Sequence, residues 1–505
     1  MSSLDFLKPI IHLLPEVKSP EKPVPLNEKL MWTGAALILF FVMYHTLAIG
    51  VRHSASGLDF LQVVTASRIG SLLTVGIGPI VLASIFLQLF VGAKIINLDM
   101  TDPEQRKTFH GAQKILAILL CFFEAAVFVM TSRVILAPLF PGMGEGFALD
   151  AAGNQIVSAP YTEVIVILQI ALGSLILLFL DEVVSKHGIG SGVSLFIAAG
   201  VALSIVGGTI SLFMAPSTGV VAVMQSGGAE AIPLAIMALL PIFFTLVVFV
   251  VVVYAEGIKV EIPLAFERAR GIGGGFPIKL MYVSNIPVIL ASALLLNMQL
   301  FSIGLNGKNL CVGGVLDEAT GSCGAGINLV HILGVVDSSG QLRDGLLYLI
   351  SPIYRPIATN YGAYANHLLF GTTPAFGLPE MLHVICYILF MVVLCVIFGK
   401  FWVETANMDA KSVATQLDKS GLQVPGFRRD PRVVEKVLER YIPTITILGS
   451  IFVGLLAGFA DLLGALGTGT GILLTVGILY KMYQDLENQR LFETNPMLAS
   501  MLGED

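Results

Sequence analysis

"GLDFLQVVTASRIGSLLTVGIGPIVLASIFLQL", residues 57–89, decides the fold. No charge occurs between Arg68 and Lys94, a run of 25 residues, which exceeds the roughly 20 that a spanning helix needs. The preceding "LDFLQVVTASR" is short and amphipathic and carries Asp59 and Arg68. A glycine-rich "GSLLTVGIGP" separates the two. The stretch therefore predicts a short half-helix, a hinge, and a spanning helix from about Ile69 to Ala93. Irregular backbone at membrane depth is tolerated only where protein buries it or it lines a watery cavity. A cavity with something seated in it is expected here.

Composition agrees. Mean hydropathy is +0.84, and 13% of the 505 residues are charged against 55% hydrophobic. That is the balance of a polytopic membrane protein. The net charge of -6 carries little, because topology follows the distribution of Lys and Arg. Residues 1–29 lack a clean apolar core and hold five prolines, which argues against a cleavable signal peptide. "LDFLKPIIHLLPEV" reads instead as an amphipathic segment on the membrane surface. Cys121, Cys386 and Cys395 fall in apolar spans and read as packing residues. Cys311 and Cys323 share a polar loop, and a disulfide between them is open if that loop faces an oxidising compartment.

Nothing matches G-x-x-x-x-G-K-[ST], H-E-x-x-H or paired C-x-x-C. No catalytic set, nucleotide, metal or other cofactor is expected, and the chain does not read as an enzyme. The "GIGGG" of residues 271–275 reads as turn flexibility. Energy for any transport must come from a partner or a gradient.

Ten apolar spans can be drawn. They run at about Leu30–Gly50, Ile69–Ala93, Ile115–Leu139, Val164–Leu180, Gly192–Met214, Ile232–Tyr254, Tyr282–Leu305, Met381–Phe398, Tyr441–Ala460 and Thr470–Met482. Ten spans place both ends on one side. Six of the 29 basic residues (Arg52, Arg68, Arg133, Lys308, Arg343, Arg355) fall opposite the termini, leaving 23 on the termini side. Positive charge stays inside, so both termini are expected in the cytoplasm and the Cys311/Cys323 loop outside.

"GIGSGVSLFI" opens span 5 and "GTGTGILLTV" opens span 10. Gly188, Gly190 and Gly192 share their spacing with Gly467, Gly469 and Gly471. Five spans followed by five of opposite direction form an inverted repeat about an axis in the membrane plane. The expected fold is an all-α polytopic membrane protein of ten transmembrane helices in two inverted halves, 30–230 and 231–486. The tail 487–505 and the loops 255–280 and 400–440 lie inside, and 306–379 forms a long external loop.

"TASRIG" followed by "GIGPI" resembles the SecY family of translocon channels, in its archaeal and eukaryotic-like branch. The resemblance covers nearly all ten spans, from about Leu30 to Leu486, and is weakest over 306–379. It implies a protein-conducting pore that passes secretory chains and releases apolar segments sideways through a lateral gate. The half-helix becomes a plug: Leu58, Asp59, Phe60, Leu61, Gln62, Val63, Val64, Thr65, Ala66 and Ser67. Motif by motif, the pore ring becomes Ile77 and Val81 from "GIGPIV", Val193 and Ile197 from "GSGVSLFI", Ile289 from "SNIPVIL" and Leu474 from "GTGILLT". Without the resemblance each reads as ordinary helix packing. A narrow apolar collar dewets and blocks ions when empty.

The gate polar cluster implied is Glu124 with Asn297. The third position, usually hydroxyl-bearing in the family, is Leu82 here. Glu124 also stands out unaided, since an ionisable group at membrane depth is expensive. Resemblance further implies small SecE-type and Sec-beta-type membrane subunits and a ribosome. The ribosome would dock on Lys259, Arg268, Arg270 and Lys279 of the first inner loop and on Arg428 and Arg429 of "PGFRR". Phosphate contacts supply most of such binding energy, although the positive-inside rule alone explains many of these charges. The competing class is a secondary transporter of a small solute, also built from inverted repeats. Glu124 would be its one midplane group.

Overall fold

Three prolines mark helix starts. Pro103, Pro160 and Pro431 each occupy the first position of a long helix, where the missing N–H is no loss and the fixed φ suits the turn. In the computed structural model, ten longer helices match the ten spans in order. They are Leu26–His45, Gly78–Gly92, Pro103–Met130, Pro160–His187, Gly192–Met214, Ala231–Gly257, Ile286–Leu305, Glu380–Thr405, Pro431–Leu462 and Gly469–Thr494. The structure describes residues 8–52 apart from 12 and 21–23, then 62, 65–92, 95–96, 98, 102–130, 136–139, 146–149, 155–158, 160–214, 219–225, 231–266, 273–283 and 286–305. It further describes short strand residues and Gly334 between 311 and 344, then 345–352, 361–372, 378–419, 422–423 and 431–494.

Two span boundaries are corrected. Span 2 begins at Gly78, not Ile69. Residues 65–77 form a buried knot of turns whose polar groups bond to one another. Arg68 N–H donates to the Leu73 carbonyl, Thr74 N–H to that of Ser71, and Gly70 N–H to Thr74 Oγ1. Leu72 N–H donates to the Thr46 carbonyl at the end of span 1. An uncharged run shows what lipid tolerates but not whether its backbone is helical. Span 3 runs from Pro103 to Met130 rather than from Ile115 to Leu139. Its charged first turns carry the helix beyond the apolar window, and Leu136 instead bridges Val51. Arg133 lies outside the described residues.

Contacts fix the alternation. Gly50 and Ala137 share a hydrogen bond at one end, and Leu139 N–H donates there to Thr162 Oγ1. At the opposite end, the chain after helix Lys8–Ile11 crosses spans 3 and 4. Lys114 Nζ donates to Pro15 O and pairs with Glu182 at 2.7 Å, while Lys186 pairs with Glu16 at 3.0 Å and bonds Val17 O. Ile11 packs over Gly111. The N-terminal segment, expected on the membrane surface, is thus strapped over helix ends. The Lys186 hydrogen bond and charge hold the Glu16 carboxyl below its ordinary 4.5. The pair therefore supports the strap at neutral pH and is lost as pH falls past that lowered value. Amide protection at 16–18 should drop on acidification, modestly, because Glu16 is 63% exposed and such pairs are weak. Unchanged protection would assign the strap to the better-buried Lys114–Glu182 pair.

The second half is tied by its own contacts. Spans 8 and 9 meet through Gly454 and Gly458, which lie against Val392 and Ile388. Small residues four apart let backbones approach closely in lipid. Where a polar loop was expected at 255–280, strands Lys259–Phe266 and Gly273–Lys279 form a hairpin. Leu422–Gln423 from the 400–440 segment adds to it. The segment 306–379 contains short strand pairs and helices Leu346–Ile350 and Tyr361–Phe370. In register Cys311 faces Asn328 and Cys323 faces Leu316, so the two are not paired across a ladder.

Candidate functional site

Spans 5 and 10 run antiparallel against each other. Gly467 at the start of span 10 abuts Val201 and Ile205, and Gly190 before span 5 approaches Met482. The two glycine-opened helices of the repeat are thus neighbours at the centre. Around them lies one apolar cluster holding Ile77, Val81, Ile197 and Leu474, with Val193 and Ile289 packed against it. Ile77 and Ile197 are 1% exposed and Leu474 is fully buried. All six expected ring residues therefore belong to or pack on one large apolar cluster, which also takes in residues of spans 1, 4, 6, 8 and 9.

The cluster also contains Ala66. Ala66 is fully buried and rests on Gly200 of span 5. Its neighbours fasten it: Thr65 Oγ1 and Ser67 Oγ are 2.6 Å apart, Ile77 N–H donates to the Thr65 carbonyl at 3.0 Å, and Ser67 N–H donates to the Gln62 carbonyl. Of the expected plug, Gln62, Thr65, Ala66 and Ser67 are described. Leu58, Asp59, Phe60, Leu61, Val63 and Val64 lie outside the described residues. Gly76, at φ +61°, lets the chain fold back so that Thr65 sits against it.

Glu124 is 5% exposed, and its Oε1 is buried with no hydrogen-bond partner. Its other oxygen faces Gly78, with the Thr65 methyl close by. Span 3 also packs on span 7, and span 2 on spans 7 and 8, so this seam is shut. The three cluster residues are not bonded to one another. Asn297 Nδ2 donates to Ala293 O of its own helix, and Leu82 is buried. The backbone knot and its link to Glu124 could not be read from spacing, although the Gly76–Gly78 pair was a signal for close approach.

Of the expected docking cations, Lys259 is exposed and pairs with Glu261 at 3.2 Å. Lys279 instead turns inward, with its ammonium 3.2 Å from Gln484 Oε1 and 4.8 Å from the Tyr480 ring centre. It ties the hairpin to span 10. Arg268, Arg270, Arg428 and Arg429 lie outside the described residues, as do the side chains of Cys311 and Cys323.

The SecY family model matches residues 71–483. A protein translocase subunit SecY of Methanocaldococcus jannaschii is 40% identical over 499 residues, covering 98% of this chain and 99% of its own. A solved SecY channel, whose plug domain is described as stabilising the closed state and maintaining a membrane seal, superposes with a TM-score of 0.73. It is 38% identical, over 98% of this chain and 99% of that one. Sec61 in a canine ribosome-channel complex from the endoplasmic reticulum superposes with a TM-score of 0.72 at 37% identity and the same coverage. A ten-helix membrane fold and full-length similarity agree: this chain belongs to the SecY family.

Proposed function

We propose that this chain is the pore-forming subunit of a protein translocase. Unfolded polypeptides cross the membrane through the collar of Ile77, Val81, Val193, Ile197, Ile289 and Leu474. The observation that carries this is that Ile77, Val81, Ile197 and Leu474 are buried with Ala66, the end of the hinged segment, in one apolar cluster on which Val193 and Ile289 pack. At rest the collar excludes water and ions because it is narrow and apolar. Its branched side chains yield around any sequence without offering a specific site. Residues 58–67 act as the plug.

Spans 2 and 3 part from spans 7 and 8 to let a nascent helix sample lipid, at the seam where Glu124 and Asn297 lie. At a helix centre Leu, Ile, Phe and Val each favour insertion by roughly 0.3–0.6 kcal/mol, while a charge opposes it by about 2.5–3.5. Partitioning then decides which segments stay. Glu124 with an unpartnered oxygen is a poor solute site, which disfavours the transporter reading.

The termini lie in the cytoplasm, on the side with 23 of 29 basic residues. The hairpin and the 400–440 loop form the docking face there. Lys259, Arg268, Arg270, Arg428 and Arg429 suit phosphates of ribosomal RNA, and co-sedimentation with ribosomes should fall steeply with salt. Small SecE-type and Sec-beta-type subunits complete the complex, and Cys311 and Cys323 face the oxidising side.

Ion conductance of the purified complex in planar bilayers tests the pore. Intact complex should be quiet, and deletion of 58–67 should give wide, flickering, poorly selective currents. Silence in both, with exchange of a small solute, would instead establish the transporter.

A further inference from the structure

The two inward-facing repeat helices are held at their starts by carboxylates, and the two halves do this differently. In the first half Asp181, near the end of span 4, accepts from Val193 N–H at 2.8 Å. Gly192 N–H also bonds it, and Ser185 Oγ, at 3.4 Å, belongs to its own helix. In the second half Asp461, at the end of span 9, accepts from Gly469 N–H through Oδ1 at 2.6 Å. Thr468 Oγ1 then accepts from Gly471 N–H, completing the cap of span 10. The remaining oxygen, Oδ2, accepts from the Tyr387 hydroxyl at 2.8 Å. Tyr387 is fully buried and stands on span 8; Asp461 is 6% exposed.

We propose that Tyr387 and Asp461 form a latch that couples span 8 of the lateral gate to the start of span 10, keeping the pore collar closed while the gate is closed. The inference rests on the pore reading above. Leu474 lies five residues after Gly469, so the turn that Asp461 caps is continuous with the helix that aims this ring residue. A sideways shift of span 8 must either draw Asp461 with it or break the Tyr387 bond. In the first case the cap on span 10 changes as the gate parts; in the second Asp461 keeps the cap but Oδ2 loses its partner, a cost the closed state does not bear. The first half, with its locally satisfied Asp181, has no such wire across to another wall among the described residues. Both latch residues are positioning residues: neither is in the ring.

The latch predicts a graded set of leaks in planar bilayers, with the 58–67 deletion as the positive control. Tyr387→Phe removes one hydroxyl and should raise the open fraction roughly threefold to tenfold, the scale of one lost hydrogen bond. Asp461→Ala should leak at least as much, and adding Tyr387→Phe to it should add nothing. Asp461→Asn can still accept from Gly469 and donate to the Tyr387 oxygen, so it should rescue the quiet state. Thermal unfolding of Tyr387→Phe within a few degrees of the parent separates gating from folding. A quiet Tyr387→Phe beside a conducting deletion overturns the latch and leaves the pore reading intact. If the deletion is silent too, the pore reading fails and the latch with it. Leaks that add in the double variant also overturn the coupling.

Discussion

Replacing Glu124 with leucine is expected to stabilise the protein and make its gate harder to open. The carboxyl is 5% exposed, and Oε1 has no partner. A buried polar atom left unpaired costs about 1–3 kcal/mol, and an apolar side chain of similar size removes that cost. Because the seam closes around this group, most of the gain accrues to the closed state. A shift of 1–3 kcal/mol corresponds to about 5- to 150-fold in the gate equilibrium. Signal segments graded by leucine content should then need more leucines to insert, and the melting temperature should rise. A fall in melting temperature together with easier insertion would mean that Glu124 is a bonded strut of the closed state, contrary to the geometry.

Gly76→Val should unseat the plug. Gly76 has φ +61°, where a left-handed conformation costs an ordinary residue roughly 1–2 kcal/mol, and a β-branched one is a genuine outlier. A side chain there would also meet the Thr65 carbonyl. That carbonyl accepts from Ile77 N–H, so pushing it away breaks the fastening beside a ring residue. The combined effect is on the order of 3 kcal/mol against the seated plug, since strain and a lost hydrogen bond act together. Large resting currents and faster protease cleavage within 58–67 are the expected readouts. Gly34→Val is the matched control, because nothing lies within 4 Å of a Cβ there. Equal, quiet behaviour of both variants would show that the 65–77 knot does not hold the plug.

Much of this was legible in sequence because lipid imposes blunt rules. Apolar runs located all ten helices, and the glycine repeat singled out spans 5 and 10, which the structure packs against each other. The proposed ring residues needed the family resemblance, since a valine or isoleucine facing a pore is chemically the same as one facing a helix. Helix starts were legible only in part. The run from Ile69 to Ile77 is as apolar as a helix, yet it folds into turns because Gly70 and Gly76 take positive φ and Ser71 and Thr74 bond the backbone locally.

The hairpin at 259–279 was missed because its "KVEIPLAF" alternates weakly and its pairing partner, Leu422–Gln423, lies over 150 residues away. Lys279 looked like a loop cation, but pairing with Lys259 brings it back to the membrane side of the hairpin and against span 10. Long-range polar bonds such as Tyr387–Asp461 leave no spacing signal at all.

The central claim is that polypeptides pass through the collar, and site-specific photocrosslinking tests it most directly. A photoreactive residue is placed singly at Ile197, at Leu474, or at Ile210, which stands 54% exposed on the same helix as Ile197. Each complex is loaded with a secretory chain arrested midway. Strong adducts from 197 and 474, with none from 210, are the predicted result. Adducts from 210 but not from the collar would place the path outside the cluster and contradict the account.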